Sequence, residues 1–404
     1  MVTTSYPRFP GDGVGSFVEP IAKGVAALGH EVHLVAPWHP AITRAKVEDG
    51  VHFHFFRYAP LPSLNVFGYA AGLREDTALR AGAWAVAPLA VGAGWFKTMR
   101  VVMKKGATVV HAHWVIPGGF IASLATRTLP LVVSLHGSDV FIAERHRVTA
   151  GIARGVFRRA GWVTACSDDL RDRAIAIGAD RERTQTVPYG VDAKRFAPNA
   201  RHRADIRREF DLGDAPVVFT AGRLVRKKGF EFLIAASREL ALAWPSLRVV
   251  IAGDGDMREE LTRLAAAAGS NVMLIGDQSQ DDIARWTAAA DVIAIPSVHD
   301  AAGNVDGLPN FALESLASGT AVVATTAGGL PQAIDDGVQG SLVPERDSAA
   351  LTRAIGALLN QPATRKTLGE AARARMLRDF GWTRVAERFA AAYVRAREVP
   401  PVAH

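Results

Sequence analysis

The sequence predicts an α/β protein built from two doubly wound, parallel-sheet domains. Three observations predict it. Short, continuous Val/Ile-rich runs recur along the 404 residues. Helical stretches with an apolar stripe separate them. The series breaks once, at Phe196-Ala197-Pro198-Asn199, and then restarts. A strand that is apolar on both faces belongs in a parallel sheet with helices packed on each side.

The elements follow in order. Val2-Thr3-Thr4 reads as a first strand, short for the start of a sheet, as expected where a few upstream residues are missing. Phe17–Leu28 reads as a helix. Strands follow at Glu31–Ala36, Thr108–His111, Leu131–Leu135, Trp162–Ala165 and Thr186-Val187. After the break come strands at Val217–Ala221, Arg248–Ala252, Val272–Ile275, Val292–Ile295 and Ala321–Ala324. Helices at Phe230–Leu242, Met257–Ala267 and Ala349–Leu359 lie among them. Trp382 to Arg397 has the pattern of an amphipathic helix, with Val385, Phe389 and Tyr393 on one stripe. The expected domains are 1–197, joined by 382–404, and 198–381. Two such domains facing each other leave a cleft at the carboxyl ends of their strands, where ligands of these folds bind.

Composition narrows the function. A single cysteine, Cys166, excludes an internal disulfide framework and fits a reducing compartment. It reads as a small buried residue. No cysteine–histidine cluster has the spacing of a zinc site. The N-terminus lacks the features of a secretory leader. The longest apolar run, Ala81 to Phe96, is interrupted by Pro88, Gly92 and Gly94 and is too short to span a bilayer. The chain is therefore expected to be cytoplasmic, soluble or peripheral at the inner face of a membrane.

The charge is uneven. Residues 1–200 carry 23 Lys and Arg against 15 Asp and Glu, whereas residues 201–404 carry 24 against 25. A basic front half fits an anionic partner. Its basic residues are dispersed and accompany no recognition motif, so nucleic acid is not the expected partner. The segment Pro60 to Lys105 interleaves Phe67, Tyr69, Trp84, Trp95 and Phe96 with Arg and Lys, a pattern suited either to an anionic membrane or to the interior.

Several loops at strand ends carry chemistry. Pro10-Gly11-Asp12-Gly13-Val14-Gly15 precedes a helix, whose N-terminus favours anions. A dinucleotide site would add an acidic residue at the end of the next strand. That strand ends in Ala36-Pro37-Trp38-His39, which argues against a nicotinamide enzyme. His136-Gly137-Ser138-Asp139 puts an imidazole and a carboxylate at a strand end. His111 and His113 lie near the same edge and read as structural or acceptor-side. Gly222-Arg223-Leu224 and Arg226-Lys227-Lys228-Gly229 offer cations for a diphosphate. Gly253-Asp254-Gly255 reads as a tight turn. Ile275-Gly276 offers backbone groups to a nucleobase.

The segment Asp306 to Gly319 is the most telling. Asp306 precedes a Gly-Leu-Pro turn, with Pro309 in the expected first turn of a helix. Glu314 follows within that helix. Free N–H groups at Gly307-Leu308 can donate to phosphate or sugar oxygens. Both carboxylates can accept from paired hydroxyls.

Together these motifs resemble the family-4 retaining glycosyltransferases of GT-B fold. The likeness takes in the loop ending at Gly15, Gly29-His30-Glu31-Val32, His136-Gly137-Ser138-Asp139 and Tyr189-Gly190-Val191-Asp192 with Phe196. It continues through Gly222-Arg223, Lys228-Gly229 and the Asp306 to Gly319 block. The resemblance implies two Rossmann-like domains and a C-terminal helix that crosses back to the first. It implies that Arg223 and Lys228 hold the donor pyrophosphate and that Glu314 binds the ribose. Asp306 would contact the donor sugar, beside the Gly307-Leu308 backbone. His136 would line that sugar, and Gly15 would leave room for phosphates and acceptor. Ile275, read above from its place at a strand end, is assigned to the donor site with them. No metal is expected. The donor would be a UDP- or GDP-sugar, and the acceptor a sugar or lipid-linked hydroxyl, in polysaccharide, lipid-linked oligosaccharide or glycolipid synthesis. The family usually carries glutamate where this chain has Asp306, whose carboxylate is drawn back by about 1.5 Å. The alternatives are a sugar-nucleotide epimerase or phosphorylase of the same shape, or a non-catalytic scaffold that has lost Arg223, Lys228 or Glu314. All three residues are present.

Overall fold

The computed structural model describes residues 1–61, 65, 68–69, 73–74, 78–79, 81–269 and 271–399, apart from the side chains of 73–74, 78–79 and 81–85. The chain forms two compact units, Met1–Tyr189 with Trp382–His404, and Gly190–Gly381. The division falls after Tyr189 rather than after Ala197. Val191 bridges Gly381, and Arg373 donates to the carbonyls of Ala193 and Phe196, which ties this stretch to the second unit.

In the first unit, parallel strands Val32–Pro37 and Val51–Phe56 lie on one side of Val2. Strands Val110–His113, Leu131–Leu135, Trp162–Ala165 and Thr184–Thr186 run in order on the other. Val2 bridges Val35 and Ala112 and so joins the two groups. Only Val2 of the expected first strand pairs. The strand Val51–Phe56 has no counterpart in the sequence reading. Its alternation of His52 and His54 with Phe53 and Phe55 masks a half-buried strand.

The C-terminal helix Trp382–Glu398 buries Val385, Phe389 and Tyr393 in the first unit's core, alongside Val18, Ile21 and Leu34. Its close seat depends on Gly24, where an added Cβ would lie 2.8 Å from the Ala386 methyl.

The second unit holds a six-stranded parallel sheet. Its order is Val272–Gly276, Arg248–Ala252, Val217–Ala221, Val292–Ile295, Ala321–Thr325 and Ser341–Val343. The chain starts in the middle, winds outward one way, then returns and winds the other way. The reversal lies between Val217–Ala221 and Val292–Ile295. Loops leave the carboxyl ends of those two strands there, the usual ligand position in a doubly wound sheet. Helix Phe230–Ala243 packs Leu233, Ile234 and Leu240 into the core on one face of this sheet.

Among the described residues, no helix is long and apolar enough to cross a membrane. The apolar run starting at Ala81 is part of one helix, Ala81–Lys105, which continues through Pro88.

Candidate active site

The second unit's candidate site is built from two loops. The first leaves Val217–Ala221 at Gly222 and makes a single tight turn, Arg226–Lys228, before helix Phe230–Ala243. Gly229 closes that turn at φ +63°, and a Cβ there would stand 2.0 Å from the Pro296 carbonyl. Val298 N–H donates to the Lys227 carbonyl. The lysine turn is thus pinned to the start of the second loop, which leaves Val292–Ile295. Asp300 shapes that loop by accepting from the backbone of Ala302 and Asn304 and from the Asn304 amide.

The two loops bring Lys227, Lys228 and Asp306 together. Lys227 Nζ lies 3.1 Å from Asp306 Oδ1, and Lys228 Nζ lies 2.7 Å from Oδ2. All three side chains are largely buried. Burial would raise the Asp306 pKa, but the charges of Lys228 and Lys227 outweigh it and hold the carboxyl well below the usual range. The stem of Lys228 runs past Gly222, where a Cβ would lie 3.2 Å from its Cε. Arg226 is turned away by a two-pronged ion pair with Glu260, at 2.9 and 2.5 Å. Arg223 stands exposed just past Gly222.

Helix Asn310–Ala317 follows the second loop. Pro309 is its N-cap, one position before the expected first turn, with φ −62° and ψ 133°. Leu308 is buried, and the Asp306 carbonyl lies against Gly328, where a Cβ would fall 2.0 Å away. Glu314 is half-buried on this helix. Burial pushes its carboxyl up to about 7, against a hydrogen bond from Gln280 and the charges of Arg195 and Lys228. Ile275 is next to last in the strand Val272–Gly276, and its carbonyl already accepts from the Gln278 amide at 3.1 Å. The turn Gly253-Asp254-Gly255 supports the site, since the Asp254 carbonyl accepts from Leu224 N–H.

The first unit holds His136 and Gly15. His136 ends the strand Leu131–Leu135, and both ring nitrogens are engaged. Nδ1 lies 2.7 Å from the Tyr189 hydroxyl, and Nε2 lies 3.1 Å from His113 Nδ1. The rings of Phe17 and Trp114 pack on it at 4.6 and 4.8 Å between centroids. Burial, with His113 nearby, holds its pKa well below the ordinary value, so the ring is neutral. Asp139, expected to face a ligand, is turned inward instead. Its buried carboxylate accepts from the N–H groups of Val115, His136 and Gly137, and so fixes the loop that carries His136. His111 is likewise internal, between Tyr393 OH and Ser134 Oγ. Gly15 has φ +68°, and a Cβ there would press on Ser5 at 3.0 Å. Cys166 is buried, and its thiol meets the Tyr189 hydroxyl.

The sequence reading took Lys227 only as one cation of its run, without its tie to Asp306, and did not single out Gln280. Lys227 sits in a basic run where no local signal separates it from a solvated neighbour. Gln280 opens helix Gln280–Ala289, distant in sequence from Glu314. Among the described residues, no group of three or more His, Cys, Asp or Glu is placed to hold a metal ion.

Comparison with known proteins accords with this geometry. Residues 202–375 match the model of glycosyl transferases group 1, and residues 12–190 match that of a glycosyl transferase 4-like domain. The chain is 34% identical to D-inositol 3-phosphate glycosyltransferase 1 of Catenulispora acidiphila, over 72% of each protein. It is 35% identical to the GDP-mannose-dependent alpha-(1-6)-phosphatidylinositol monomannoside mannosyltransferase of Mycolicibacterium smegmatis, over 62% of this chain and 66% of that protein. Among solved structures, Anabaena Alr3699/HepE in complex with UDP has a TM-score of 0.75 at 20% identity, covering 97% of this chain and 98% of that one. Sucrose-phosphate synthase from Thermosynechococcus elongatus has a TM-score of 0.76 at 22% identity, covering 95% and 93%. The chain belongs to the group 1, family-4 glycosyltransferases of GT-B fold. It is an enzyme that transfers a sugar from a nucleotide-sugar donor.

Proposed function

We propose that the chain is a retaining, metal-independent glycosyltransferase that moves a sugar from a UDP- or GDP-sugar to a hydroxyl of a glycolipid, lipid-linked oligosaccharide or polysaccharide precursor, on the cytoplasmic side. The observation that carries this reading is the convergence of Lys227, Lys228 and Asp306 at the strand-order reversal of the second sheet. The second unit binds the donor and the first the acceptor. Lys228 and Arg223 take the diphosphate. Their positive charge opposes the charge that builds on the leaving group as the glycosidic bond breaks. Asp306 and the Gly307-Leu308 backbone meet the donor sugar. Glu314 meets the ribose, and the strand end at Ile275 meets the base. In the first unit, Gly15 and His136 are assigned to the phosphates and acceptor and to the donor sugar. For His136 to reach a sugar hydroxyl, one of its bonds to His113 or Tyr189 must open.

A thermal-shift screen of nucleotide sugars tests this reading, followed by hydrolysis of the stabilising donor with and without EDTA. Stabilisation by one UDP- or GDP-sugar, with EDTA-insensitive hydrolysis, is expected. If no nucleotide sugar stabilises the protein, the donor site is misassigned.

Glu314 gives a pH dependence. Its carboxyl, pushed up to about 7, accepts ribose hydroxyls best when ionised. Nucleoside diphosphate affinity should rise roughly tenfold between pH 6 and pH 8. In Glu314→Gln this component should vanish, as read by calorimetric titration of both proteins with the same ligand. Stability moves the opposite way. The folded chain holds this proton more tightly than the unfolded one, so the group's contribution falls as pH rises through 7.

We further propose that helix Ala81–Lys105 contacts an anionic membrane. Leu89, Phe96 and Met103 are exposed on it, with Arg100, Lys104 and Lys105 also exposed. Tyr69 takes no part, because it is buried and donates to the Pro37 carbonyl. Phe67 and the Trp84 side chain lie outside the described residues. Co-flotation with phosphatidylglycerol vesicles at low salt, reduced by Phe96→Asp, is expected. Absence of flotation contradicts the membrane contact alone.

A further inference from the structure

We infer that Lys227 is a positioning residue for the donor: it holds Asp306, so that Lys228 can leave that carboxylate for the donor diphosphate. The inference rests on the assignment of Lys228 to the diphosphate.

Two ammonium groups share one carboxylate, each on its own oxygen, at 3.1 and 2.7 Å. The three side chains keep only 19%, 17% and 11% of their exposure for Lys227, Lys228 and Asp306. In such a place, removing the only partner of a charge is strongly unfavourable. With a single lysine, the diphosphate would have to strip Asp306 of its counter-ion. With two, one ammonium stays while the other turns, and the trio carries one positive charge in excess.

The local build favours this division of labour. Lys227 belongs to a turn whose backbone is fixed by Val298 N–H and by the approach of Gly229 to Pro296. Lys228 is a flexible stem beside Gly222, where the missing side chain leaves it room to swing. Arg226 cannot substitute, being paired with Glu260.

Calorimetric titration with UDP and with GDP tests the inference, because neither ligand carries the sugar that Asp306 is expected to meet. Lys227→Met should weaken binding about tenfold or more by leaving Lys228 captive on Asp306. Adding Asp306→Asn should restore the affinity to that of Asp306→Asn alone. Lys227→Arg, which keeps the charge, should bind like the parent, and melting curves confirm that each variant is folded. Equal weakening by Lys227→Met with and without Asp306→Asn would instead make Lys227 a direct phosphate ligand and overturn the inference. So would no weakening by Lys227→Met while Lys228→Ala abolishes binding. If Lys228→Ala binds both nucleotides as the parent does, the donor-site reading itself falls, and the inference with it.

Discussion

Lys228→Ala should lower kcat/KM for the nucleotide sugar by roughly 100- to 1000-fold, the usual cost of removing one group aimed at developing charge. The loss should appear in kcat as well as in KM, since charge on the leaving diphosphate grows as the glycosidic bond breaks. The fold should survive, because Asp306 keeps Lys227 at 3.1 Å as its counter-ion. Lys228→Arg should recover only part of the activity. A planar guanidinium does not reproduce a mobile point charge beside Gly222. Steady-state kinetics with the donor found by screening, together with melting curves, separates this result from simple unfolding. Wild-type kinetics in Lys228→Ala would remove the residue from the site.

Gly328→Ala should be severely damaging for a change of a single methyl group. Gly328 has φ +58°, and its Cβ would fall 2.0 Å from the Asp306 carbonyl, with Val305 Cγ2 at 3.0 Å. Backbone occupies the space, so no side-chain rotation relieves the clash. The loop carrying Asp306 must shift. The expected cost is about 3 kcal/mol from overpacking and left-handed strain, which lowers the melting temperature by roughly 6–12 °C for a unit of this size. Donor binding should fall with it, because the shift draws Asp306 from Lys227 and Lys228. Gly337→Ala is the control. Gly337 also has a positive φ, +73°, but meets nothing within 4 Å, so it carries the backbone strain without the collision. Equal effects of the two changes would show that strain, not contact with Asp306, sets the cost.

Much of the second unit was legible in the sequence, for a physical reason. Strands such as Val217–Ala221 and Ala321–Thr325 are buried on both faces, so they appear as uninterrupted apolar runs. Strand Val51–Phe56 did not, because one face is only partly covered and carries histidines. Helix Ala81–Lys105 was hidden by Pro88, Gly92 and Gly94, which read as breaks. Candidate site residues stand out in the sequence where a strand end or a turn marks them, as at Arg223, Lys228 and Asp306. Asp139 was misread, because an acidic residue after a strand looks alike whether it faces a ligand or ties down backbone N–H groups. Lys227 and Gln280 act through partners far along the chain, and only folding brings those partners to them.

Sugar transfer with retention is most directly tested by following one reaction by proton and phosphorus NMR. The sample holds the enzyme, the stabilising nucleotide sugar and a panel of inositol and glycoside acceptors. The proposed function predicts a nucleoside diphosphate and a glycoside whose anomeric configuration matches that of the donor. An inverted glycoside would contradict retention. A sugar 1-phosphate, or an epimerised sugar nucleotide with no glycoside, would contradict the transferase reading itself.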